Sequence, residues 1–144
     1  MNPLWLVIPI LVGFAQPVLV QMSVRVSRVL GDMESAVVLH VVGTVVGFLW
    51  MGVGLREHGF SGMDRVPWWA FLAGAIGVTC LAAVNRTVPV IGIATFLSLA
   101  VASQLILALI FDRYGVMGAE VRQVGMSHWL GVALLSLGAY LVSR

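Results

Sequence analysis

The feature that most constrains this chain is a succession of apolar runs, each close in length to the thickness of a bilayer core, separated by short polar stretches. A spanning helix needs about 20 consecutive apolar residues, and five runs of that order follow one another, at about 4–22, 35–55, 68–84, 88–111 and 127–142. Inside hydrocarbon every backbone N–H and C=O must find its partner within the protein, which a helix does within its own segment. The expected fold is therefore an all-α integral membrane protein, a single five-helix transmembrane domain over residues 1–144. The chain is 60% hydrophobic and 10% charged, whereas soluble domains carry about 25% charged residues. Soluble enzymes, DNA-binding proteins and secreted disulfide scaffolds are excluded on that ground.

The polar residues narrow the chemistry further. All eight basic residues are arginines, scattered between the runs without a basic stripe that could track a phosphate backbone, so nucleic acid is not an expected partner. The single cysteine, Cys80, cannot form an internal disulfide, and no Cys/His cluster has metal-ligand spacing. No cofactor and no metal are expected. No nucleophile, base and orienting group stand at a recognisable catalytic spacing, so the chain does not read as an enzyme.

The first run has no basic residue before it and no small-residue cleavage site, which fits a span better than a removable signal. It carries Pro9 and Pro17, with Gln16 and Gln21 beside the second proline, and a bent, partly polar helix is expected. Gly31 should break the chain before the second span, with Asp32 capping the new helix and Glu34 in its first turn. That span holds His40 and Thr44, and the Gly43/Gly47 spacing permits close approach of another helix. A solvent loop follows with Arg56, Glu57, His58, Asp64 and Arg65, and Pro67, Trp68 and Trp69 open span three at an aromatic belt. Asn85, Arg86 and Pro89 mark a very short connection, which would make spans three and four an antiparallel pair. Span four carries Gln104 and stops at Asp112 and Arg113, and span five carries Trp129 near one end, with Arg144 beyond the other.

Five spans put the termini on opposite faces. The face with the N-terminus then receives Arg56, Arg65, Arg113 and Arg122, and the other receives Arg25, Arg28, Arg86 and Arg144. Orientation follows an excess of Lys and Arg on the cytoplasmic side, and four against four supplies none. The balance predicts dual topology, with copies inserted both ways and paired as an antiparallel homodimer. A fixed orientation would instead call for an oppositely oriented paralogue. Transporters built from inverted halves around a midplane site alternate access by rocking one half against the other, and an odd-spanning unit provides such halves by flipping.

Three segments carry a family likeness: VASQLILALIFDRYGVMG at 101–118, PWWAFLAGAIG at 67–77 and MSVRVSR at 22–28. Together they resemble the YdcZ-like (EamA-like) family of five-span proteins in the drug/metabolite transporter superfamily, over essentially the whole chain. The resemblance implies an inner-membrane transporter half working as an antiparallel dimer, with Gln104, Asp112, Trp68 and Trp69 as the matching positions. It is related more distantly to four-span multidrug exporters, which place a carboxylate deep in the first helix. Here that helix offers only Gln16 and Gln21.

Polar side chains inside hydrocarbon are costly and mark sites or helix contacts. Gln16, Gln21, His40 and Gln104 are the candidate substrate-binding residues. The structural alternative is a hydrogen bond that only holds helices together. His40 is also the coupling candidate, because an imidazole changes charge near neutral pH, and Glu34 is a second if it faces a vestibule. Asp112 and Arg113 read as helix-end pairing. The expected function is small-solute transport by alternating access, with a small-molecule substrate and the bilayer as surroundings. A non-transporting membrane subunit and a small channel are the competing readings.

Overall fold

The computed structural model describes residues 4–53, 60 and 62–144, with side chains from residue 7 onward. The expected loop residues Arg56, Glu57, His58 and the end of span two at Leu55 lie outside the described residues. Five α-helices follow in order: α1 (Leu4–Leu30), α2 (Asp32–Gly52), α3 (Leu72–Ile91), α4 (Ile93–Tyr114) and α5 (Met126–Val142). Short 3-10 turns at Met63–Arg65 and Trp68–Phe71 precede α3. Four segments are long and apolar enough to cross a membrane: Val7–Leu30, Asp32–Gly52, Trp68–Ile91 and Ile93–Tyr114. The fifth helix, α5, has 17 residues, about 26 Å at 1.5 Å per residue, somewhat short of a core about 30 Å thick. The chain divides into two compact units, Met1–Pro89 and Val90–Arg144.

In the first unit the helices run beyond the apolar runs read from the sequence. α1 continues through the stretch 23–30 because its polar residues share a helical face with apolar ones. Val20, Ser23, Val24 and Ser27 are buried against the unit's interior, while Arg25 and Arg28 stay exposed. Both Pro9 and Pro17 lie inside α1, and the imide of Pro17 leaves the carbonyl of Gly13 without its usual helical donor. α1 packs against α2 across a one-residue link. Gly31 sits at φ 102°, ψ 161°, a region open almost only to glycine. Its N–H donates to the Ser27 carbonyl at 2.8 Å and its own carbonyl accepts from Ser35 N–H at 3.1 Å, so the two helices join with no loop. The cap is Gly31, not Asp32, and no side chain bonds there. The Glu34 carboxylate folds back into the space a Cβ on residue 31 would need. Gly31→Ala is therefore expected to cost about 1–3 kcal/mol from backbone strain alone, measurable as a lowered unfolding midpoint in detergent, with an unchanged midpoint showing that the link relaxes freely.

α3 contains the residues from which a connection was expected. Asn85, Arg86 and Pro89 are all helical, and the helix break comes later, at Gly92 with φ 82° and ψ 157°. The chain does not turn at Asn85 because that side chain has partners inside the unit. It is 1% exposed. Ser23 Oγ donates to Asn85 Oδ1 at 2.6 Å, and Asn85 Nδ2 donates to Ser35 Oγ at 2.5 Å and to the Asp32 carbonyl at 3.3 Å. One amide thus ties α3 to α1 and α2.

In the second unit α4 packs on α5. Gly115 closes α4 in the left-handed conformation, its N–H donating to the Phe111 carbonyl at 2.8 Å. The following loop is tied back by Arg122 N–H to the Asp112 carbonyl at 2.7 Å. At the start of α5, Gly125 N–H donates to His128 Nδ1 at 3.2 Å.

Candidate functional site

The apolar helices leave few polar side chains with anything to offer a solute, because most hydroxyls are spent on their own helix. Thr44 donates to the His40 carbonyl, Thr79 to Ala75, Ser98 to Thr95, Ser103 to Ala100 and Ser136 to Val132. Such back-bonding satisfies a hydroxyl in hydrocarbon without a partner helix. The interior amide of Asn85 is likewise fully engaged. Among the groups that remain on the described helices are the imidazole of His40 and the amides of Gln16, Gln21 and Gln104.

His40 lies in the middle of α2, half-buried. Its Nδ1 is 2.8 Å from the Ala36 carbonyl. Nε2 reaches toward α3 and lies 3.3 Å from where a Cβ on Gly77 would stand. The imidazole lines an open cleft of about 440 Å³ with Leu39, Gly43, Thr44 and Leu81. Gly43 carries no side chain to obstruct it, and Leu81 follows Gly77 one turn later on α3. The cleft thus has two apolar leucine walls, a floor opened by glycine, and polar groups only at His40 and Thr44.

Gln16 and Gln21 stand exposed on α1, and Gln104 stands exposed on α4 in the second unit. All three lie within segments long and apolar enough to span, where an exposed amide is costly unless it meets a polar partner. Within the first unit, neither Gln16 nor Gln21 lines the His40 cleft. Glu34 is exposed at the start of α2, over Gly31 rather than near His40. Asp32 approaches Arg86 at 3.9 Å with side chains 35% and 85% exposed, a separation and exposure at which an ion pair adds little. Arg113 turns its guanidinium over the Tyr114 ring at 5.8 Å, and the Asp112 carbonyl, half-buried, holds the loop instead.

Asn85 reads from the sequence as the end of a span, and Ser23, Ser35 and Gly77 carry no site role there. The available signal was the place of Asn85 within a segment long and apolar enough to span, Trp68–Ile91, and the helical spacing of Val20, Ser23, Val24 and Ser27.

The family comparison decides what kind of protein carries these features. The family model DMT_YdcZ, described as "Putative inner membrane exporter, YdcZ", matches residues 4–141. The chain belongs to the DMT_YdcZ family. It is 31% identical over 126 residues to the inner membrane protein YdcZ of Escherichia coli (strain K12), covering 85% of this chain and 83% of that protein. No solved structure matches it. Membership in DMT_YdcZ agrees with helices long enough to span, and the chain is a multi-pass inner-membrane protein. The DMT_YdcZ family is one of membrane transport and is not described by any catalysed reaction.

Proposed function

We propose that this chain carries a small solute across the inner membrane by alternating access, as a dual-topology antiparallel homodimer whose two copies jointly form the solute path. The observation that carries the reading is the exposure of Gln16, Gln21 and Gln104 on apolar helices. A polar side chain facing lipid is costly, whereas the same side chain facing an inverted copy lines a hydrated path. The even split of arginines, four to each face, supports a partner of opposite orientation. Pairing with an oppositely oriented paralogue would serve the same geometry. In this reading Gln16, Gln21, His40 and Gln104 contact the solute, and α5 spans with the help of a locally thinned bilayer.

The test is transport by purified protein in sealed liposomes over a panel of organic cations, amino acids, sugars and nucleosides, followed by current and by uptake. A solute-dependent signal is expected, falling at least about tenfold in Gln104→Leu, the equivalent of about 1.4 kcal/mol of lost solute interaction. Full transport by Gln104→Leu removes α4 from the path. No transport of any solute by folded protein overturns the reading in favour of a non-transporting subunit.

A further inference from the structure

His40 offers the α2/α3 cleft one kind of chemistry only. The Ala36 carbonyl can only accept, so the Nδ1 atom 2.8 Å from it carries the proton. In the neutral imidazole that leaves Nε2 as a bare acceptor. Among the described residues Nε2 bonds to nothing, and it faces the bare backbone of Gly77. Thr44 has its hydroxyl proton committed to the His40 carbonyl at 2.8 Å, so its oxygen likewise has only lone pairs to offer. The remaining lining, Leu39, Gly43 and Leu81, is apolar. Among the described residues no charged side chain lines the cleft. On the elements that form it, the titratable groups closest in sequence are Glu34 on α2, turned over Gly31, and Cys80 on α3, which is exposed.

The geometry points to a binding site for an uncharged hydrogen-bond-donor group, a hydroxyl or an amide N–H, in the cleft lined by His40 and Thr44, with Nε2 of His40 as its acceptor and Gly77 as the residue that keeps Nε2 reachable. This rests on the reading of His40 as part of the solute path and supplies its substrate class. A carboxylate or phosphate brings no donor, and its charge meets two sets of lone pairs. A cation would enter a cleft with no counter-ion, and an unpaired charge away from water is costly. A neutral donor satisfies an acceptor without bringing a charge, and a primary amide carries two N–H donors, one for each acceptor. Gly77 follows from the same geometry, because a methyl there would stand 3.3 Å from Nε2 and cover the atom the solute must reach.

The experiment is nitrogen NMR of the full chain in lipid nanodiscs with labelled histidine, which distinguishes the two neutral tautomers from the doubly protonated ring. His40→Phe identifies the resonances. The apo protein is expected to show a protonated Nδ1 and an unprotonated Nε2, and the opposite tautomer would overturn the proposal. Benzamide, a neutral donor, is expected to shift the Nε2 resonance, and benzoate, its isosteric anion, to leave it in place. Equal responses to both probes would sink the assignment. Gly77→Ala is expected to weaken the benzamide titration at least about tenfold, a change worth about 1.4 kcal/mol. Gly77→Ser gives a second reading: its hydroxyl is expected to donate to Nε2, shifting that resonance without any probe and blocking benzamide. Unaltered benzamide binding in both variants removes Gly77 from the site. A solute current that ignores Gly77→Ala and His40→Phe defeats this assignment alone, whereas a benzamide response without transport of any solute supports the site and defeats the transport reading.

Discussion

Asn85→Leu is expected to destabilise the protein by about 2–3 kcal/mol, because it strands polar groups that no water or lipid can reach. Its amide receives the Ser23 hydroxyl and donates to Ser35 Oγ and the Asp32 carbonyl, and Ser23 and Ser35 are 2% and 0% exposed. A single interhelical hydrogen bond in a membrane protein averages about 0.6 kcal/mol and rarely exceeds about 1.7. Truncation costs more than one such bond since Ser23 loses its acceptor while remaining buried. Leucine also adds bulk where α1, α2 and α3 approach. The asymmetry between breaking a polar pair and replacing it whole gives a sharper version. Adding Ser23→Ala and Ser35→Ala to Asn85→Leu should recover at least about 1 kcal/mol, because no buried hydroxyl is then left unpaired. Unfolding titrations in mixed detergent micelles measure all of these, and a loss below about 0.5 kcal/mol in Asn85→Leu would show that the node does not hold the three helices together.

The largest effect expected is on orientation. The proposed five-span, dual-topology arrangement puts four arginines on each face, so C-terminal fusions to a reporter active only in the cytoplasm and to one active only in the periplasm should both give signal. Removing Arg25 and Arg28 leaves two arginines against four, so the face with the N-terminus becomes cytoplasmic and the C-terminal reporter should register only outside. Removing Arg113 and Arg122 reverses the sum and should confine the signal to the cytoplasm. A shift from about 1:1 to at least about 10:1 in each direction is the expected size, because the Lys/Arg bias of the loops sets the overall orientation and each pair removal turns a balanced count into two against four. Arg25, Arg28, Arg113 and Arg122 are all exposed, so their loss leaves packing intact. Arg86 is left in place because it stands beside Asp32. A wild-type signal from one side only would overturn dual topology, and insensitivity to both pairs would show that the arginines do not set orientation.

Helix content and the order of helices were legible in residues 4–142 because the signal is one of composition and length. Gly31 was legible as a break for a related reason: glycine between a polar stretch and a new apolar run marks a link. Helix ends were less so. Asn85 and Arg86 read as the end of span three because an amide and a guanidinium in hydrocarbon are costly, yet α3 carries both. Arg86 remains 85% exposed, while the cost of Asn85 is met by Ser23 and Ser35, which lie 62 and 50 residues away. The same holds for the site. His40 was recognisable as the titratable group within an apolar run, but which of its nitrogens is free depends on the Ala36 carbonyl, and what that nitrogen faces depends on Gly77 of another helix.

The sequence by itself determined that this is a helical membrane protein, since the length and apolar character of a run act locally and through the bilayer. Only the tertiary structure decided that Asn85 is a buried tie rather than a loop residue, that Ser23 and Ser35 are its partners, and that Gly77 stands opposite His40. Those outcomes depend on hydrogen bonds and close approaches between segments far apart in the chain, where the energy of a polar group is set by what another helix brings to it.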